Sequence, residues 1–340
     1  MNNVTLILIF FVFLKTNING QDKIFDFTEY TVKEINSDKV KTDSEFYIVS
    51  DLLFNKDEII ITDKSNEPTI QIFTVENALS LKILKYFGST GQGPGEFIDT
   101  WDIFRDETGE LIYIFDAVNR RIAVLNNDYE IILNDYIYVK SDGFYTTVNK
   151  IDNYFIGSGV TSGCVLEIFD RNGEITECRG THPDLGLNSE VSVRSVAQRW
   201  HSYTVMHPAK DKIAIFYRFA NRARIVNLNG ETIKELVDSD FGVPITQAMN
   251  GNALPTNIDL RAYISVDAND EFIYALYSGE ISTGPSSSLG RFVQKYDWDL
   301  NLIDVYKLDH LAINIHVDKN NNLYTLEYEP ENNIRLLNTE

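Results

Sequence analysis

Short apolar runs rich in Ile, Val, Tyr and Phe recur along the chain, separated by clusters of Asn, Asp, Gly and Pro, the pattern of β-strands joined by turns. It is sharpest between Lys85 and Asn127. Gly88, Gly91, Gly93, Pro94 and Gly95 belong to a loop, because glycine is too permissive for a strand interior and proline donates no ladder hydrogen bond. Residues 101–104, 111–115 and 121–125 then read as strands, with turns at 106–109 and 116–120, and 131–139 completes a four-stranded antiparallel meander.

The same unit recurs before and after this stretch. Strands are predicted at 46–54, 58–62, 70–75 and 81–87, then at 144–148, 154–157, 165–169 and 174–178. Two further units follow at 203–206, 212–217, 223–228 and 232–237, and at 262–266, 272–277, 291–297 and 302–308. The last has three strands, 313–317, 322–327 and 333–337. Turns of one kind precede each second strand, as at 54–59, 104–109, 207–212, 267–271 and 318–322. Self-similarity at roughly 45 to 60 residues marks a propeller. The strand-like run 25–35 is predicted to pair with 333–337 as the missing outer strand, closing the ring and hiding its edges. The expected fold is all-β: a six-bladed β-propeller with four antiparallel strands per blade, one domain over residues 21–340.

A net charge of -20 opposes attraction to a phosphate backbone, which excludes nucleic acid as a partner, and an acidic shell serves solubility. The apolar run 4–14 is short for a bilayer span and precedes small residues, as in a secretory signal peptide cleaved near Gly20. The mature chain is therefore expected to have no stable membrane span and to be periplasmic or extracellular. No cysteine lies near the cut to carry a lipid. With Asn172-Gly173 as a hairpin turn, Cys178 faces Glu167 and Cys164 faces Thr181. On straight strands the thiols then lie about 10 Å apart, so two reduced cysteines are expected.

Residues 88–127 resemble the NHL-type repeat, in Gly91-Gln-Gly-Pro-Gly-Glu-Phe97, Ile112-Tyr-Ile-Phe-Asp116 and Asn119-Arg-Arg-Ile122, with Asn221-Arg-Ala-Arg-Ile225 echoing the last element. Arg261-Ala-Tyr-Ile264 with Phe272-Ile-Tyr-Ala-Leu-Tyr-Ser-Gly279 is similar to the TolB-like six-bladed propellers of Bacteroidetes. The resemblance implies the fold and an exported location. It brings no reaction and no catalytic residue.

Sharp chemical motifs are few. His201 with His207, and His316 with Asp318, share strand faces, but no helix-borne His pair or Cys cluster supports a metal site. The turn at 318–322 lacks the glycine and the bidentate Glu of a calcium loop. The Gly-rich loop has no following Lys-Ser/Thr, and no nucleophile elbow occurs. No cofactor is expected, a divalent cation in the channel being the one candidate.

Topology supplies the binding hypothesis. The long connections 180–201 and 238–260 reach one face of the propeller, bringing Arg194, Arg199, Trp200, His201, Asn250 and Arg261 toward the central funnel. Trp101, Arg218, Arg222 and Tyr263 join them there. Arginines and a tryptophan in an acidic protein suit an anionic or carbohydrate-like ligand, or a protein partner, because Arg recognises carboxylates bidentately and aromatic faces stack. The chain is expected to be a binding or scaffolding module; the alternative is a metal-dependent hydrolase or lactonase at the channel mouth.

Overall fold

The structure, a computed structural model, describes residues 31–64, 67–106, 108–188, 190–256, 259–281, 288–328 and 333–339. Residues 1–30, and with them the signal-peptide expectation and most of the run 25–35, lie outside the described residues.

Strands pair in antiparallel meanders, one per blade. Blade 1 comprises Val49–Asn55, Glu58–Asp63, Ile70–Asn77 and Ser80–Phe87. Blade 2 comprises Thr100–Arg105, Ile112–Asp116, Arg121–Leu125 and the short Ile137–Tyr138. Blade 3 is Phe144–Ile151, Tyr154–Val160, Leu166–Phe169 and Ile175–Arg179. Blade 4 is Ser202–Met206, Lys212–Tyr217, Arg222–Asn227 and Thr232–Val237. Blade 5 opens with Leu260–Ala268, Phe272–Ile281 and Gly290–Asp297. Its outer strand runs without a break into the inner strand of blade 6, as Leu302–Val317, where the sequence suggested two. Leu323–Glu327 and Ile334–Leu337 continue blade 6.

Burial explains why the second strands read as unbroken apolar runs. Each sheet is covered on both faces by its neighbours, so Ile112–Asp116 is buried at every position, whereas the outer Thr232–Val237 is almost wholly exposed. The core divides into six clusters, one at each junction between adjacent blades. Ile60, Ile72, Ile103 and Ile114 join blades 1 and 2, and Leu52, Phe73, Tyr324 and Leu326 join blade 1 to blade 6. The ring therefore closes with six blades.

An N-terminal strand does close the last blade, but it lies later in the chain than the alternating run suggested. Ser37–Lys39 pairs antiparallel with Arg335–Leu337 of blade 6. Val32–Glu34 instead runs parallel to residues 305–307 of blade 5, and Lys41–Thr42 runs parallel to residues 80–81 of blade 1. The apolar Ile35 and Val40 flank the polar closing strand and insert into the junctions of blades 5–6 and 6–1, which fixes its position. One strap thus spans three blades, and its closing strand is short and charged, as protected edges are.

The cysteines correct a second expectation, for Cys164 and Cys178 form a disulfide with Cα atoms 5.6 Å apart. The hairpin register holds, with Cys178 opposite Glu167. What fails is the assumption of a straight strand. The chain bends through residues 161–165, where the amide and hydroxyl of Ser162 donate to Glu167 and the Thr161 hydroxyl donates to the Cys164 carbonyl, so Cys164 folds back toward its partner.

Candidate functional site

The inner strands of the blades surround a central channel of about 670 Å³. A recurrent local device shapes its wall. A β-bulge in the inner strand is followed by a polar residue in blades 1, 2, 3, 5 and 6: Asp51, Asp102, Thr147, Ser265 and Asn314. Each bonds the main chain of the next blade or is bonded by it. Asp51 accepts from the Ile103 amide at 2.9 Å, Asp102 accepts from the Val148 amide, and Ser265 accepts from the Ile315 amide at 3.3 Å. Asn314 donates to the Ser50 carbonyl at 3.3 Å. Asp267, which the sequence placed in a turn, ends the inner strand of blade 5 and accepts from the Val317 amide at 2.8 Å. Burial pushes Asp267 up to about 7 and pushes Asp51 and Asp102 upward too.

At one end of the channel the two long connections fold against each other. Residues Val193–Arg199 form a short helix, α1, capped by Ser192, and Thr246–Met249 pairs with Asn252–Pro255 as a hairpin. The Ser192 amide donates to the Gly251 carbonyl at 2.8 Å and the Ala253 amide to the Ser195 hydroxyl at 2.9 Å. The last residue of α1, Arg199, is clamped to this assembly: it meets Asp259 at 2.6 Å and donates to Thr246 and to the Ile245 carbonyl.

Beside that pair lies a cluster of cations. The guanidinium groups of Arg199, Arg218 and Arg261 sit 4.7, 5.7 and 4.5 Å from the ring centre of Phe219. Asp259 is shared by Arg199 and Arg261, the latter at 3.6 Å, and among the described residues Arg218 has no carboxylate partner. Arg218 instead donates to the Tyr203 hydroxyl at 3.2 Å and the Ser288 hydroxyl at 3.4 Å, both on the channel wall. Burial, opposed by Asp259 and reinforced by Arg218 and Arg199, lowers the affinity of Arg261 for its proton. His201 is pushed down to about 3 by burial, then by Arg218 and Arg261, and is neutral at pH 7. The cluster therefore holds three cations against one anion.

An adjoining pocket of about 390 Å³ is lined by Arg194, Gln198, His201 and Phe144. Trp101, on the channel wall, packs edge-on to Phe144 at 4.8 Å and forms the partition between the two spaces. Thus Arg194, Arg199, His201, Arg218 and Arg261 come together near the mouth, with Trp101 at its side. The remaining sequence candidates lie elsewhere. Trp200 is wholly buried between blades 3 and 4, Arg222 stacks on its ring at 5.4 Å and pairs with Glu235, and Tyr263 is buried between blades 4 and 5. Asn250 sits at the hairpin tip.

The metal candidates separate. His207 pairs with Asp211, Asp318 receives the amides of its own turn, and among the described residues no group of three His, Cys, Asp or Glu is arranged to hold a metal. The Gly-rich loop is bound by its own repeat: Asn119 donates to the Gly91 carbonyl and Arg121 to the carbonyls of Gln92 and Glu96. Gly91 adopts φ +157°, a conformation that residues with a Cβ rarely take.

The sequence did not single out Phe219 and Asp259, the platform and the counter-charge of the cluster. Nor did it single out the channel aspartates, although a lone Asp within an apolar inner strand, as in Ser50-Asp51-Leu52 and Trp101-Asp102-Ile103, was a signal.

Closed six-bladed geometry with an N-terminal closing strand agrees with the family comparison. The chain belongs to the TolB-like 6-blade propeller-like family. The family model matches residues 26–320. Similar folds include a member of the DUF4221 family from Bacteroides vulgatus, with 11% identity over 90% of this chain and 96% of that one at a TM-score of 0.61. An exported protein from Bacteroides fragilis matches with 11% identity over 89% and 94% of the two chains at 0.57. The β-propeller domain of Cps50 (Swd1) from the fungus Myceliophteria thermophila matches with 9% identity over 89% and 100% at 0.51. No curated protein sequence matches this one.

Proposed function

We propose that this TolB-like protein is an exported binding propeller that captures an anionic ligand, such as an acidic sugar or a carboxylate-bearing molecule, at the channel mouth. The observation that carries the reading is the Arg199–Arg218–Arg261 cluster on Phe219, whose charge a single buried carboxylate leaves uncompensated. Desolvated guanidinium groups without acids recruit an anion strongly. Arg199, already paired and clamped, positions the connection that carries Asp259; Arg218 and Arg261 make the contact, and the pocket of Arg194 and His201 extends the surface.

Export is supported by the apolar run 4–14 and by the disulfide, which persists in oxidising compartments. Cell fractionation with mass measurement of the N-terminus tests it, a chain beginning near Gln21 outside the cytoplasm being expected.

Calorimetric titration with glucuronate and with glucose tests the site. Glucuronate binding that weakens with added salt and falls at least tenfold in Arg261→Ala, with no binding of glucose, is expected. Equal binding of the two sugars overturns the assignment.

A further inference from the structure

We infer that the channel takes the amino end of a zwitterionic ligand whose carboxylate is held at the mouth by Arg218 and Arg261, the chemistry of a short peptide with free ends. This rests on the reading of the mouth given above.

Below the arginines the channel wall carries three acids, with Arg105 among the other residues that line it. Asp51, Asp102 and Asp267 line it, and among the described residues no Lys or Arg pairs with any of them. His316 stands between two of these acids, with Nε2 3.6 Å from Asp51 and Nδ1 3.9 Å from Asp267. It is only 6% exposed, and its Nε2 has no hydrogen-bond partner. Burial keeps this imidazole neutral, pushed down to about 3, so one ring nitrogen offers a lone pair to the channel. Main-chain amides donate to Asp51, Asp102 and Asp267, but among the described residues no side-chain cation meets them, and a bound ammonium would hold them in the ionised form that burial disfavours. The acids form no three-ligand group suited to a metal ion. An ammonium group fits instead, because its N–H bonds reach single acceptors one at a time.

The two charged regions belong to one continuous space. Tyr203 and Ser288, which receive the Arg218 guanidinium, line the same channel as Asp267 and His316. Arg261 and Asp267 lie on one strand, Leu260–Ala268, and are separated along it by about 20 Å at the usual rise per residue. An extended peptide of a few residues spans such a distance, carboxylate toward the mouth and amine toward His316; the reverse orientation sets like charges together.

Penta-alanine, its N-acetyl form and its C-terminal amide, titrated calorimetrically into the wild type and Asp267→Asn, test the inference. Free penta-alanine should bind, and each cap should weaken it at least tenfold. In Asp267→Asn the effect of N-acetylation should shrink to under threefold while that of amidation persists. Asp51→Asn serves in the same way if the first variant fails to fold. Equal binding of the free and acetylated peptides to the wild type overturns the channel inference and leaves the mouth standing. Equal binding of the free peptide and the amide overturns the mouth itself. Absence of binding by free penta-alanine also overturns the inference.

Discussion

Arg199 and Asp259 meet at 2.6 Å with both side chains almost wholly out of solvent, and this pair divides the arginines at the mouth into two kinds. Arg199 is a structural member of the cap, whereas Arg218 meets two hydroxyl groups and the Phe219 ring but, among the described residues, no carboxylate. Removing Arg199 takes away the close partner of buried Asp259 and leaves it only Arg261 at 3.6 Å, which costs on the order of 3 kcal/mol. Arg199→Ala should therefore lower stability by that order, and Arg218→Ala by under about 1 kcal/mol, because the partly exposed Arg218 leaves no buried acid behind. Urea denaturation of the two variants checks the contrast; similar losses would remove the distinction.

The disulfide links residues 14 apart, and closing a loop of that size stabilises by about 3 kcal/mol. Cys178→Ser should lower the denaturation midpoint accordingly, and reductant should do the same to the wild type without affecting the variant. Alkylation under non-reducing conditions should label neither cysteine.

Asp267 gives the stability a pH dependence of known sign. Its pKa rises from 3.8 to about 7 on folding, because burial disfavours the carboxylate. The folded chain thus keeps a proton that the unfolded chain releases as pH rises through this window, so stability falls from pH 4 to pH 7, by up to about 4 kcal/mol. The Val317 and Ala268 amides oppose the shift, and Asp51, Asp102 and His316 are the neighbouring titratable groups on the channel wall. Asp267→Asn cannot ionise, so it should be more stable than the wild type at pH 8 and should flatten the profile. Parallel profiles for the two proteins would contradict this. A channel acid that costs stability at neutral pH is consistent with retention for binding.

The N-terminal strap should behave as the lock of the ring. Val40 is 2% exposed between blades 6 and 1. Val40→Ala should cost about 1–3 kcal/mol, and a chain beginning at Phe46 should lose cooperative unfolding, measured by circular dichroism on heating. A truncated chain that melts as the full one does would show that the blades close without it.

Much of this architecture could be read from residues whose physics is local. The Asn172-Gly173 pair marked the hairpin, where a three-residue loop and a bulge at Ile168/Phe169 together restore the register that sets Cys178 opposite Glu167, and the Asp/Asn turns marked the start of nearly every second strand. What escaped depends on contacts distant in sequence. Nothing local in Cys164-Val165 announces that Glu167 bends the preceding loop, and the polar Ser37–Lys39 looks less like a strand than the alternating run before it. Arginine and tryptophan content drew attention to the right face, but Trp200 and Tyr263 were separated from it by burial and Arg222 by its pairing with Glu235, while Phe219 gained its meaning only from three arginines brought by different segments.

The most direct measurement is the affinity of glucuronate for Arg218→Gln beside the wild type, by calorimetry at low salt on samples with matching circular dichroism. Loss of at least tenfold in the variant is predicted, since its amide keeps a donor but not the charge. An unchanged affinity would contradict an anion site built on the arginines of the channel mouth.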